Sequence, residues 1–372
     1  MVKFSQTIMS LSMLFTCGRE LRYPRNSYLL QAFQRSFNVT AVVDASRSYP
    51  ARFARLAPRL LAQRGSKQVF FAGFYGHPLV LYLRRLTGSP ILFDPYISTY
   101  DTLCFDRQAY RPTSLAGRLV LALDRQSAAQ ADYLLMDTVA NVDYYQRVVG
   151  VPRQKMTVVY AGCDETVFAP HPEISEDGQT VLFFGAFLPL QGVDVIVRAA
   201  ALLKDRPGIR FRILGSGFGE QSTRQLAAQL GATNLEFMPY VPPAELPALI
   251  SRSMLCLGGH FGDRDKARRY IAGKTFQCLA MGKPTLVGDN PANRELLTHG
   301  QDAWMVKMND PAALAEAVCT LAGDAALRAR LGRAARQTFL ERSSLAVVSE
   351  QLRMWVEQCA AQGRWRTPLS RS

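Results

Sequence analysis

Residues 181–192, VLFFGAFLPLQG, constrain the fold of this chain more than any other stretch. Val181 to Phe184 is an unbroken apolar run, the pattern of a strand buried on both faces. Gly185 permits a sharp exit from it, and a helical pattern starts after Gly192. Strand, glycine turn and helix in succession are how α/β domains present backbone N–H groups to a phosphate. The same grammar returns at residues 211–220, FRILGSGFGE. One such unit alone reads better as an ordinary βα turn in which glycine serves geometry. The pair, followed by a basic segment at residues 262–274, points to a nucleotide-type ligand held at strand C-termini. GSGFGE lacks the G-x-G-x-x-G spacing, so a dinucleotide fingerprint is not supported.

The alternation extends in both directions. With 372 residues the chain exceeds one ordinary core, and two domains are expected. Strands are expected at 8–15, 39–43, 69–72, 91–93, 133–136 and 155–160, with helices from about Ser27 and over 115–131. Further strands are expected at 181–184, 209–214, 235–240, 254–257, 285–287 and 304–307. Helices fit 193–204, 220–230, 243–252, 271–281, 291–298, 311–322, 324–340 and 344–361. The polar, Pro- and Gly-bearing stretch around HPEISEDGQ marks a linker. The expected layout is a first domain over 1–168, a linker over 169–180, a second domain over 181–342, and a helix within 343–372 returning to the first domain. Two such halves imply an α/β fold of two doubly wound, Rossmann-like domains facing a cleft.

Lys and Arg number 44 against 30 Asp and Glu, a net charge of +14, so acidic partners are expected: phosphates, nucleic acid or an anionic membrane face. The basic residues are scattered and no nucleic-acid module is visible, which argues against nucleic acid. The seven Cys form no CxxC pair, which fits reduced thiols in a cytoplasmic protein better than a disulfide framework or a zinc site. The apolar run from Ile8 to Phe15, preceded only by Lys3, reads as a first strand rather than a signal peptide. No uninterrupted apolar run approaches the roughly 18 residues of a membrane span, so any membrane is met from its surface. The Arg-rich segment 51–64, ARFARLAPRLLAQR, has two readings: a helix docking at an anionic inner membrane, or a solvated face with Arg stems over the core. Pro58 weakens the helical pattern itself.

The second half resembles the retaining glycosyltransferases of the GT-B fold, family 4 (glycosyl transferases group 1). The matching pieces are FFGAFLPLQGVDVIVRAAALL, FRILGSGFGE, LEFMPYVPPAELPALISRS, KTFQCLAMGKPTLVGDNPANRELL and DAWMVKMNDPAALAEAV. In the first half YPRN, FDPYISTYDTL and VVYAGCDETVF are similar more weakly. The resemblance implies transfer of a sugar from a nucleotide-diphosphate sugar, with retention, to an acceptor hydroxyl on a glycan or a lipid-linked molecule. It implies no cofactor, the donor being a substrate. The donor would sit on the second domain and the acceptor on the first, in cell-envelope or exopolysaccharide assembly. Alternatives are a nucleotide-sugar epimerase of the same fold and a non-catalytic basic binding protein.

The sequence departs from the family pattern at informative places. Arg after the first glycine and Lys before the next are replaced by Ala186 and Gln191, and the usual pair of Glu eight residues apart falls on Arg269 and Gln277. The chain looks like a branch with PLQG and a basic segment, GDRDKARRYIAGK, in their stead. Lys266, Arg269 and Lys274 are the expected anion holders, since Arg and Lys make charge-assisted bonds to a diphosphate. Lys274 also opens a helix whose N-terminal amides favour an anion. Gln277 shares its face and can donate to or accept from a ribose hydroxyl. The amides of Gly185, Ala186 and Phe187 would share the leaving charge, and Gly215 and Glu295 complete the donor-side candidates. Asp94 and Asp101, after a strand end, would orient or partly deprotonate the acceptor. Asp263 and Asp265 form a DxD string, but flanking Lys and Arg oppose a cation there and no metal is expected. The four His show no ligand spacing; His260, beside the basic loop, is the one placed to face the cleft.

Overall fold

The computed structural model describes residues 11–46, 48–63 and 69–361. Lys3, residues 8–10 of the expected first strand, Arg64 of the Arg-rich segment and the tail beyond 361 lie outside them. The chain divides into two compact units, one of residues 1–160 with 345–372, the other of residues 161–344.

In the first unit, among the described residues, β1 (Ser12–Cys17), β2 (Asn38–Ala41), β3 (Val69–Gly73), β4 (Ile91–Phe93), β5 (Tyr133–Met136) and β6 (Met156–Val158) form one parallel sheet in the order β2-β1-β3-β4-β5-β6. Its central strands are apolar at nearly every position, as a sheet covered on both faces requires. The covering helices are α1 (Pro24–Gln34), α2 (Tyr49–Ala62), α3 (His77–Leu86), α4 (Leu115–Gln130), α5 (Val139–Tyr144) and the last helix of the chain, Leu345–Ala361. That last helix packs on α1. Its Val348, Leu352, Trp355 and Val356 share one apolar cluster with Tyr28, Leu29 and Phe33.

The second unit is again fully parallel. β7 (Thr180–Phe184), β8 (Arg210–Leu214), β9 (Leu235–Met238), β10 (Leu255–Leu257), β11 (Thr285–Gly288) and β12 (Trp304–Val306) run in the order β12-β11-β10-β7-β8-β9. Counted from β7, this is the strand order of dinucleotide-binding domains. The helices are α6 (Val193–Leu202), α7 (Glu220–Leu230), α8 (Leu246–Arg252), α9 (Gly273–Ala280), α10 (Pro291–Leu296), α11 (Pro311–Gly323) and α12 (Ala325–Arg342), so the last helix of the chain is α13. The two doubly wound α/β sheets are the architecture that the alternation implied.

Local differences have simple causes. α1 starts at Pro24, not near Ser27, because proline is pre-organised for the first helical turn. α2 runs through Pro58, which lies with Ala54 on the exposed face, where the helix tolerates the lost backbone bond best. Its Phe53, Leu56 and Leu60 turn inward and Arg52 is buried, donating to the Gly18 and Ser46 carbonyls. This is the arrangement of Arg stems over a core. Residues 99–106 form a helical turn (Thr99–Asp101) running into a π-helix (Thr102–Asp106). α3 and α5 have no counterpart in the sequence reading: each is short and entered through a glycine or a capping threonine, without a long periodic face.

Candidate functional site

In the second unit the chain leaves β7 toward β8 on one side and returns to β10 on the other. The crevice outside strand ends at such a switch point is where open α/β sheets bind ligands. The turns after β7 and β8 are stacked. A Cβ on Gly215 would stand 2.0 Å from the Gly185 carbonyl oxygen, and Gly215 has φ +136°, so only glycine fits. The Gly185 amide donates to Leu214 O (2.9 Å) and the Phe187 amide to Ser216 O (3.0 Å). These two amides join the turns to each other. The expectation that both face a bound anion is corrected on that ground; of the three residues Ala186 is the exposed one.

The PLQG turn docks on the basic loop in the same way. Gly192 has φ +66°, and a Cβ there would lie 2.3 Å from the Gly262 nitrogen. Phe261 N donates to Gln191 O (3.2 Å), while Leu188, Leu190, Ala267 and Met308 form a small apolar cluster beneath. PLQG and the basic segment are thus one packed unit.

Lys274 is the centre of it. It stands in the first turn of α9, is 7% exposed, and donates through Nζ to Gln191 Oε1. Nζ also lies 4.2 Å from the centroid of the Phe183 ring on β7, a cation–π contact. It is 3.3 Å from the place of a Cβ on Gly185 and 3.5 Å from that on Gly259. Side chains at those positions would fill the space that the ammonium occupies. Burial pushes the Lys274 amine down to about 7, with the Cys278 thiol pulling weakly the other way. A buried cation beside glycine turns at a switch point is a perturbed group of the kind that functional sites carry.

Around it, Lys266 and Arg269 are both buried, on and just after a 3-10 turn (Lys266–Arg268). Arg269 donates to Asp265, and the exposed Arg268 donates to Asp263 (Nε, 3.1 Å). The carboxylates of the DRD string therefore face guanidiniums, and among the described residues no group of three metal-ligating side chains is assembled. His260 is buried, and burial with the Lys274 charge pushes its imidazole down to about 3, so it stays neutral. It supplies no charge to a ligand. Gln277 is half-buried one turn along α9 from Lys274. Glu295 is half-buried on α10, its backbone carbonyl accepting from Arg342 (3.1 Å). Phe218 and Tyr240, after β8 and β9, are 93% and 71% exposed. The sequence reading missed both; exposed rings beyond strand ends, in FGE and PYVP, were the available signal. A depression of about 560 Å³ lined by Asp289, Arg294 and His299 includes none of the nominated residues.

In the first unit Asp94 follows β4, is fully buried, and takes a two-pronged bond from Arg25 (Nε 3.0 Å, Nη2 3.2 Å). Burial pushes its carboxyl up and the guanidinium holds it back. Asp137, just after β5, is buried beside them and accepts from Asn141 Nδ2 (2.9 Å). Burial pushes Asp137 up to about 7, against the pull of Arg25. The sequence reading did not nominate it, although its place directly after the expected strand 133–136 was the available signal. Asp101 is buried, its amide capped by Ser98 Oγ (3.0 Å), on the turn that Asp124 holds through the Thr99 and Tyr100 amides. The structure thus groups Asp94 with Arg25 and Asp137 but places Asp101 in a separate cap. Half-buried Tyr23, Tyr75 and Tyr96 ring the buried Phe74, with Tyr75 and Tyr96 both at φ 59°. Bulky residues held in that left-handed region mark over-determined, function-prone backbone.

Sequence comparison separates the chain at the same place. Residues 164–338 match the model of glycosyl transferases group 1, and residues 17–162 the glycosyl transferase 4-like domain. The chain carries a group 1 glycosyltransferase domain. A D-inositol 3-phosphate glycosyltransferase of Streptomyces avermitilis is 29% identical over 233 residues, 57% of this chain and 49% of its own. WcaL of Escherichia coli K12, named for colanic acid biosynthesis, is 27% identical over 171 residues, 45% of this chain and 42% of its own. The chain spans about half the length of the curated relatives that it matches first. Among solved structures, a sucrose-phosphate synthase of Thermosynechococcus elongatus superposes with a TM-score of 0.73 at 14% identity, over 95% of this chain and 100% of that one. Anabaena HepE, solved with UDP and glucose, gives 0.72 at 14% identity, over 93% and 99%. These likenesses establish the GT-B type of fold around the group 1 domain. In that domain Lys274 reaches the Gln191 side chain from α9.

Proposed function

We propose that this protein transfers a sugar from a nucleoside-diphosphate sugar to an acceptor hydroxyl, with retention at the anomeric carbon. The observation that carries the reading is the Lys274 ammonium, buried between the β7 and β10 turns and held by Gln191 and the Phe183 ring. As the bond from the anomeric carbon to the diphosphate oxygen breaks, negative charge grows on the leaving group and the sugar becomes oxocarbenium-like. Lys274 balances that charge, with Lys266 and Arg269 as supporting cations. A bound diphosphate also keeps the Lys274 proton in place, because an opposite charge favours the ammonium. Gln277 and Glu295 bind donor hydroxyls, and Ala186 leaves room where the family pattern has Arg. Uridine diphosphate is the first donor nucleotide to try, since HepE was solved with UDP and with UDP-glucose.

The acceptor hydroxyl belongs to a glycan or a lipid-linked molecule and is oriented on the first unit. There Asp94 fixes Arg25, Asp137 holds a proton near neutral pH, and Tyr23, Tyr75 and Tyr96 offer rings to a sugar face. Asp101 shapes the neighbouring turn. The work is done in the cytoplasm, at the inner face of the membrane, in envelope or exopolysaccharide assembly. A thermal-shift screen against nucleoside diphosphates tests donor binding: UDP or another diphosphate should raise the midpoint and nucleosides should not. Proton NMR of the first product formed tests retention; inverted product, or donor interconversion without any acceptor, would overturn the reading.

A further inference from the structure

The outer face of α4 is unlike the rest of the first unit's surface. Its solvent-side stripe reads Leu115, Arg118, Leu119, Ala122 and Arg125, all exposed, with Leu115 at 75% and Leu119 at 61%. Leucines four residues apart share one side of a helix, and here that side has no covering element among the described residues. The segment leading into the helix is also exposed, apolar and basic. Phe105 on the π-helix is 48% exposed and Tyr110 43%, and Arg107 and Arg111 beside them are exposed. The Ala109 and Tyr110 amides fold back onto Leu103 O (2.8 and 3.3 Å). The Arg111 carbonyl rests against α4, 2.4 Å from where a Cβ on Gly117 would stand. The loop is thereby anchored to the inward side of the first turns of α4, and its exposed rings and arginines lie beside the start of the helix.

Its charge is of one sign. Of the two acidic residues in 102–130, Asp106 is half-buried, while Asp124 is buried and turned inward to Ser98 Oγ (2.6 Å). We propose that this face, residues 105–125, docks the protein on an anionic lipid bilayer, with Leu115, Leu119 and Phe105 entering the acyl boundary and four arginines meeting lipid phosphates. Exposed apolar side chains framed by basic ones are the signature of interfacial membrane binding. A nucleic acid would leave the leucines unexplained. A second copy would set arginines against arginines across a two-fold axis. The Arg-rich α2 is the poorer candidate, because its Phe53, Leu56 and Leu60 are committed to the core and Leu61 alone of its large apolar residues is exposed. None of these residues belongs to the donor site, so the inference stands or falls apart from the transfer reaction.

Co-sedimentation of the full chain with vesicles tests it. Vesicles of equal phosphatidylcholine and phosphatidylglycerol should carry the protein down, vesicles of phosphatidylcholine alone should not, and added salt should release it. Leu115→Ser with Leu119→Ser should weaken partitioning by about tenfold or more at an unchanged melting midpoint. Arg107→Gln, Arg111→Gln and Arg118→Gln together should do the same and flatten the salt dependence. Wild-type protein that ignores anionic vesicles, or variants that bind like wild type, would overturn the proposal. So would a dimer in analytical ultracentrifugation that the leucine substitutions convert to monomer, since the face would then belong to a second copy.

Discussion

Each unit buries a charge near the C-terminal ends of its strands, and the two handle it in opposite ways. At the end of β4 in the first unit, Asp94 is neutralised within the protein by Arg25. At the switch point of the second, Lys274 is buried against a neutral amide and an aromatic face, the side chains of Gln191 and Phe183. A closed ion pair is structural reinforcement, whereas a buried cation given only neutral company is held ready for an anion from outside. The comparison separates a scaffold that positions from a site that binds.

Four substitutions and one treatment probe that contrast, from the largest effect to the smallest. Asp94→Asn takes the two-pronged carboxylate partner from the buried Arg25, leaving only the nearby Asp137, and should cost about 3 kcal/mol in urea unfolding. A loss well under that would mean that the pair is not the closed unit described. Lys274→Met should cut turnover about a hundredfold, about 2.7 kcal/mol, yet leave the melting midpoint unchanged or higher because a buried charge has gone. Stability falling together with activity would make Lys274 scaffold like Asp94. Gly215→Ala should cost about 2 kcal/mol and weaken donor binding, since the new methyl meets the Gly185 carbonyl. At the small end, Asp263→Asn should change stability by less than about 0.5 kcal/mol, and EDTA should leave turnover within about twofold of the untreated rate. Loss of activity on chelation would reopen the DRD string as a metal site.

A pH series sharpens the same comparison. Asp137 is raised to about 7, so between its unfolded value and that pH the native state holds a proton that the unfolded state has lost. Stability from this residue therefore falls as pH rises from about 4 to 7 and is level above. Lys274 is lowered to about 7, so from there to about 10.4 the unfolded state holds the extra proton and stability rises with pH. Melting curves of Asp137→Asn should lose the acid-side slope, and those of Lys274→Met the alkaline one.

The sheet strands were legible because each is an apolar run bounded by glycine or a polar turn, as at 69–73 and 180–184. The basic segment was legible from composition alone. The contact between Lys274 and Gln191, separated by 83 positions, was not, because it depends on how PLQG stacks on the loop after β10. Nor was the sorting of the amides. Gly185, Ala186 and Phe187 look alike in sequence, and only the stacked turns show which two are engaged. Asp94 reads as a catalytic carboxylate until Arg25, 69 positions away, is seen beside it. Long-range partners decide a polar residue's role, while local pattern decides only its element.

Calorimetric titration of wild-type and Lys274→Met protein with UDP, at pH 6 and pH 9, tests the central claim most directly. If the ammonium holds the diphosphate, wild type should bind about tenfold or more tighter at the lower pH, and the variant should bind weakly at both with the pH difference gone. Equal affinity of the two proteins at pH 6 would contradict the assignment.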